Sequence, residues 1–305
     1  MWWVFAFMGA SMKYSKPPLT FDQQADLLIS RGLIADNQDL IEKLKAVSYY
    51  RLSGYLYPFR NPDDTFKSQT TLDQVWRRYT FDRQLRLLVL DAIERAEISI
   101  RTGLVYHHSH LFGPFGYTDG TTLPHLKKNE FIILQGKLRD AVKQSKEAFV
   151  EHFQKKYGDM HSDLPLWMIS ELWSFGNMFT FFRGVDKQVK RPIASEYHLA
   201  FGVLESWLHS LNSVRNICAH HSRLWNRVLG VKPMIPDKDP QWHSPVQVPN
   251  DRIFGILTLL KYLLKQVAHQ SQWQTRLENL FGRYQDIPLS MIGFPADWKE
   301  CPIWK

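Results

Sequence analysis

Apolar residues recur every three to four positions along most of the chain and nowhere alternate strictly, the pattern of amphipathic helices rather than strands. Thr20 is placed to cap a helix that reaches Ser30, with Gly32 as its stop. Asp36 or Asn37 opens a second helix, with Leu40, Ile41, Leu44 and Val47 facing inward. A tyrosine-rich segment follows, Ser48 to Pro58. After the turn Asn61-Pro62-Asp63-Asp64, one long helix is predicted from Thr71 to about Leu111, on Val75, Tyr79, Leu85, Leu88, Ile93, Ala96, Ile100 and Leu104. Residues 127–157 read as a further helix. The run Leu164 to Gly176 begins the next, and a shorter one lies near 186–197.

A second long apolar period then runs from about Phe201 to Leu229. Leu204, Trp207, Leu208, Leu211, Val214, Cys218 and Trp225 form one broad face of it. On an ideal helix Asn216, His220, Arg223 and Arg227 share a second face, with Arg215, Ala219, Ser222 and Asn226 beside it. Proline-rich sequence from Pro233 to Pro249 interrupts the pattern, helices follow over about 251–269 and 270–283, and an aromatic tail from Pro288 to Trp304 has no period. The fold class is therefore all-α, a helical bundle with additional N-terminal and C-terminal helices. Composition and pattern divide it softly into residues 12–65, a core at 66–230, and a C-terminal part at 231–305.

Composition and charge sharpen this picture. The chain of 305 residues is rich in aromatics, with 11 Trp, 12 Tyr and 19 Phe, enough to bury a sizeable core. Its net charge of +8 favours a polyanionic partner, nucleic acid before membrane. Cys218 and Cys301 alone make neither a disulfide framework nor a zinc site, which fits a cytoplasmic protein. Residues 1–11 carry a short apolar run without a basic start. They are read as an extension from start-site choice, a weak membrane-surface anchor being the alternative.

The sequence excludes several chemistries. There is no Walker A loop, no GxGxxG, no HExxH, no paired CxxC and no GxSxG elbow. His107, His108 and His110 do not converge on a helix, so no metal or cofactor is expected. What stands out is the second face of the 201–229 run. No Asp or Glu lies between Glu205 and Asp237 to pair with Arg215, Arg223 and Arg227. Arginine holds phosphate, and histidine moves protons near neutral pH. Elsewhere, Glu97 and Arg101 are spaced as a favourable helix ion pair, and Glu171 lies in an otherwise apolar segment, exposed or paired. Tyr50 and Arg51 belong to an aromatic–basic cluster that reads as core or as a base-stacking surface.

An Arg-x4–6-His spacing occurs at five places in the chain, so that pattern alone identifies nothing. The wider text does. Ser48-Tyr49-Tyr50-Arg51-Leu52-Ser53-Gly54-Tyr55, then Leu164-Pro165-Leu166-Trp167 with Glu171 and Ser174-Phe175-Gly176, then Arg215 through Arg227 resemble, in that order, the bacterial abortive-infection Abi family of the AbiD/AbiF type. The resemblance spans about Lys16 to Trp304. It implies a HEPN-like bundle, a part in phage defence and toxin–antitoxin behaviour, and a metal-independent ribonuclease activity in which a ribose 2′-OH attacks the adjacent phosphate.

Carried onto this chain, the resemblance makes Arg215 the phosphate holder, His220 the general acid–base and Asn216 its orienting neighbour. Arg223, Arg227 and Asn226 would extend an RNA track, Arg101 would border the site, and Glu171, Glu97, Tyr50 and Arg51 would support it. Expected partners are RNA, as substrate or as regulatory antitoxin, and a second copy of the chain docked through the Arg215–His220 face. The rival readings are a non-catalytic RNA-binding protein and a phage-sensing interaction module.

Overall fold

The computed structural model describes Ser15 and residues 17–305; the expectation for residues 1–11 lies outside this range. The described residues form twelve α-helices and no β-strand, so the fold is all-α. The chain divides into two units, one ending at Thr80 and one running from Phe81 to Lys305.

The first unit is built on α1 (Phe21–Ser30), α2 (Asn37–Val47) and α3 (Tyr49–Leu56). Thr20 caps α1 in a reciprocal box with Gln23, and the Asp36 side chain caps α2. Gly32, at φ +95°, makes the left-handed step after α1 that a side chain would disfavour. Leu28, Leu40, Leu44, Leu52 and Tyr55 are buried. The tyrosine segment divides: Tyr55 is core, edge-on to Tyr79, while Tyr50 is 88% exposed.

Helix α4 (Leu72–Phe112) is the single long helix that the pattern predicts, and the boundary between the units falls within it. In the second unit its inward stripe is Leu85, Val89, Ala92, Ala96, Ile100 and Leu104, all buried. The predicted helix over 127–157 is in fact two, α5 (Lys128–Gln144) and α6 (Ala148–Tyr157). Ser145 is extended, and its hydroxyl accepts from the Glu147 N–H, so a local side-chain bond replaces the helical one. The run from Leu164 also breaks, into the short α7 (Leu166–Ile169) and α8 (Phe175–Gly184). Extended Trp173 separates them, and the Ser174 hydroxyl caps α8. Helix α9 (Lys187–Glu196) leads to α10 (Phe201–Ala219), and α11 (Ile253–Val267) and α12 (Trp273–Arg283) close the order.

Helix α10 carries the apolar face that the candidate site stands on. Leu204, Trp207, Leu208, Leu211, Val214 and Cys218 are buried as the period predicts, with α8 and α9 packed against them. Helix α11 is buried almost all round, as expected of a helix apolar on every face. The aromatic tail packs rather than dangles: Phe294, Trp298 and Trp304 cluster on Phe254 and Phe281, and Trp304 donates to the Thr258 hydroxyl at 2.9 Å.

His108 of α4 is fully buried between Phe112 and Phe181, with Thr122 as its hydrogen-bond partner. Burial pushes its pKa down to about 4. The unfolded chain therefore takes up a proton near pH 6.5 that the folded chain refuses, and stability falls as pH drops from about 6.5 to 4. Between pH 7 and pH 5 this linkage amounts to about 2 kcal/mol. Denaturant unfolding of wild type and His108→Leu at both pH values will show a loss smaller by about that amount in the variant; equal losses would contradict the assignment.

Candidate functional site at the end of helix α10

Helix α10 stops earlier than its apolar period. Ala219 is its last residue and His220 its cap. His221 takes a left-handed conformation at φ +57°, its N–H bonds the Cys218 carbonyl, and the Ser222 N–H bonds the Ile217 carbonyl at 2.9 Å. This is a Schellman ending with histidine where glycine is usual. The expected common helical face of Asn216, His220, Arg223 and Arg227 is thereby corrected. Arg215 and Asn216 stand on the last turn, His220 is the cap, and Arg223, Asn226 and Arg227 lie on the loop beyond.

That loop is held by a buried charge. Asp82 of α4 is fully buried, and its carboxylate accepts from the backbone N–H groups of Leu224 (3.2 Å) and Trp225 (2.7 Å). Arg86, one turn along and 5% exposed, pairs with the same carboxylate at 2.5 Å. Trp225 is buried as expected, but by this clasp rather than as part of the helix. Cys218 sits beside the pair. Burial, reinforced by the Asp82 charge, pushes its thiol up to about 12, which leaves it protonated and inert at neutral pH. Farther along, Arg227 Nε donates to the Arg223 carbonyl at 2.8 Å, and the Asn226 amide oxygen accepts from Arg252 at 3.2 Å. Asn226 is thus already engaged by a neighbouring arginine.

Asp82 and Arg86 are the site residues that the pattern missed. A signal was there: Asp82 falls seven residues before Val89, in phase with the buried stripe of α4, and a charge in that register must be paired to be buried.

The exposed chemistry lies above this clasp. His220 and Asn216 are exposed and Arg215 is half-buried, its guanidinium 3.5 Å from the Asn216 amide oxygen. Among the described residues Arg215 and Arg227 form no ion pair. Arg215 is not electrostatically isolated, however. Burial raises the Glu97 carboxyl above the ordinary glutamate value, while the charges of Arg101 and then Arg215 pull it down. Glu97 and Arg101 make the expected helix pair, each 15% exposed, and Arg101 also donates to the Trp173 carbonyl at 3.4 Å. The structure therefore links Glu97, Arg101 and Arg215 in one electrostatic cluster. Glu171, on the turn after α7, is exposed. Tyr50 and Arg51 are exposed on α3 of the first unit.

The end of α10 carries the negative pole of the helix. An anion near His220 is therefore held against the dipole, and only the guanidinium groups make the place favourable to a phosphate. The three histidines of α4 diverge: His107 faces Glu196 at 3.7 Å, His108 is buried on Thr122, and His110 bonds the Tyr106 carbonyl at 2.7 Å. Among the described residues no group of three or more His, Cys, Asp or Glu could hold a metal ion, and no helix is long and apolar enough to cross a membrane.

A comparison with protein families matches residues 42–226, more than half of the chain, to the model of the Abi-like proteins. The chain belongs to the Abi-like protein family. The matched segment holds the exposed α3 residues, the Glu97–Arg101 pair, Glu171 and the end of α10 as far as Asn226, and membership supports a role in abortive infection. No curated protein and no solved structure matches this Abi-like chain.

Proposed function

We propose that this Abi-like protein is a metal-independent endoribonuclease of the HEPN type, of the AbiD/AbiF kind, acting as an abortive-infection effector. The observation that carries the reading is the end of α10: an arginine without an ion pair among the described residues, an exposed asparagine and an exposed histidine, set on a rigidly clasped turn within the matched segment. Arg215 holds and neutralises the scissile phosphate, whose charge grows as the 2′-oxygen attacks. His220 transfers the proton between the 2′-OH and the 5′-oxygen that leaves. Asn216 orients the phosphate or the imidazole. Arg223 and Arg227 guide the strand on either side, and Asn226 keeps its turn in place through Arg252.

Arg215 and His220 are five residues apart, about 140° around a helix. One copy of the turn does not enclose a phosphate. A homodimer that sets two such turns face to face completes the site, and RNA is the partner that its basic residues fit.

The test is the chemistry of the products. Purified protein in EDTA is expected to cut single-stranded RNA, leaving a 2′,3′-cyclic phosphate and a 5′-OH. A 2′-deoxy substitution at the scissile nucleotide blocks the cut. RNA that is bound but left whole would favour the non-catalytic RNA-binding reading.

A further inference from the structure

An open groove of about 640 Å³ lies along α4 where α7 and the turn after it pass over. Its walls are unusual for a surface left bare. Trp167 is 50% exposed, although its neighbours Leu166 and Ile169 are buried; Tyr106, which also lines the groove, is 57% exposed, with the His110 ring 4.1 Å away. Ile98, also largely exposed, adds apolar floor. Two flat aromatic surfaces beside an apolar floor are a platform on which a nucleobase stacks.

The polar groups decide which base. Arg101 and Glu171 both line the groove, and so does Ser109. Arg101 is held by Glu97 and the Trp173 carbonyl, so its guanidinium is fixed before any ligand arrives. Glu171 is exposed and makes no ion pair among the described residues, so its carboxylate is available to accept. A carboxylate takes two parallel donors in one plane. Among the four RNA bases only guanine offers two adjacent donors, N1–H and N2–H, with an acceptor, O6, next to them for a cation. Adenine and cytosine present a single exocyclic amine on that edge, and uracil a single N–H.

We infer that this groove is a guanine-binding subsite, with the base between Trp167 and Tyr106 and its Watson–Crick edge on the Glu171 carboxylate. Arg101 then supplies the cation toward O6. Glu97, which pairs with Arg101, also feels the charge of Arg215, so the groove and the proposed cleavage site are electrostatically connected. The consequence, which rests on the ribonuclease reading, is that RNA is cut next to a guanosine.

Equilibrium dialysis of the full chain against the four ribonucleoside 5′-monophosphates tests the subsite without any cleavage. Guanosine 5′-monophosphate is expected to bind about tenfold or more tightly than the other three, the effect of a charge-assisted bond pair. Glu171→Gln removes that preference, and Trp167→Ala weakens all four nucleotides; both positions are exposed enough for folding to survive the change. Equal binding of the four, or a preference that persists in Glu171→Gln, overturns the inference. If RNA is cut without guanosine bias, the subsite fails alone. If the nucleotide preference holds and no RNA is cut, the ribonuclease reading fails and the subsite stands.

Discussion

Replacing Asp82 by alanine is expected to cost about 3–5 kcal/mol of stability, the usual penalty for stranding one member of a buried ion pair. The loss has two parts. Arg86, 5% exposed, loses the Asp82 carboxylate from its buried surroundings, and the N–H groups of Leu224 and Trp225 lose the Asp82 acceptor within the core. Arg86→Ala removes the cation of the same buried pair and belongs to the same range. The double replacement costs less than the sum, because both single replacements remove the same shared interaction. Chemical denaturation of the three variants measures this directly. A loss below about 1 kcal/mol for Asp82→Ala would mean that the turn after α10 is held by its aromatic packing and not by the clasp.

Arg215→Ala and His220→Ala are expected to leave stability nearly unchanged and to abolish RNA cleavage. Neither side chain is in the core, and surface replacements of this kind usually fall within about 0.5 kcal/mol. Loss of a general acid–base slows a reaction by roughly 10²–10⁴, and loss of a positioned charge on the developing oxyanion by roughly 10²–10³. The two variants separate on binding. Arg215→Ala weakens the hold on RNA, whereas His220→Ala leaves it close to wild type. With both groups acting in one step, as proposed, the double variant is expected to be no slower than the worse single one.

Helix positions, and the all-α class with them, were legible because amphipathic period, caps and proline breaks act locally. Thr20, Asp36 and the apolar stripe of α4 each mark an element with a residue type that few other arrangements would use. The end of α10 was not legible. The chain leaves the helix at His221 without a glycine, so the period continues on paper through Arg223 and Arg227 after the backbone has turned. Trp225 deepened the illusion: it is buried, as an in-phase helical residue would be, but Asp82 buries it from more than a hundred residues away. The break between α5 and α6 was hidden for a related reason, since Ser145 and Glu147 are as acceptable in a helix as at its end. Of the candidate site, the residue types at Arg215, Asn216 and His220 were plain in the sequence. Their link to Glu97 and Arg101 depends on how α4 passes α10, which no local pattern encodes.

In the proposed reaction His220 moves a proton in RNA cleavage at a turn that needs no metal. The most direct test is single-turnover cleavage of one RNA in EDTA by wild type and His220→Ala, with RNA binding measured on the same preparations. Cleavage by wild type is expected, with a rate lower by at least about 10²-fold in the variant and equal binding by both. Equal rates in the two proteins, or wild-type cleavage that EDTA abolishes, would contradict it.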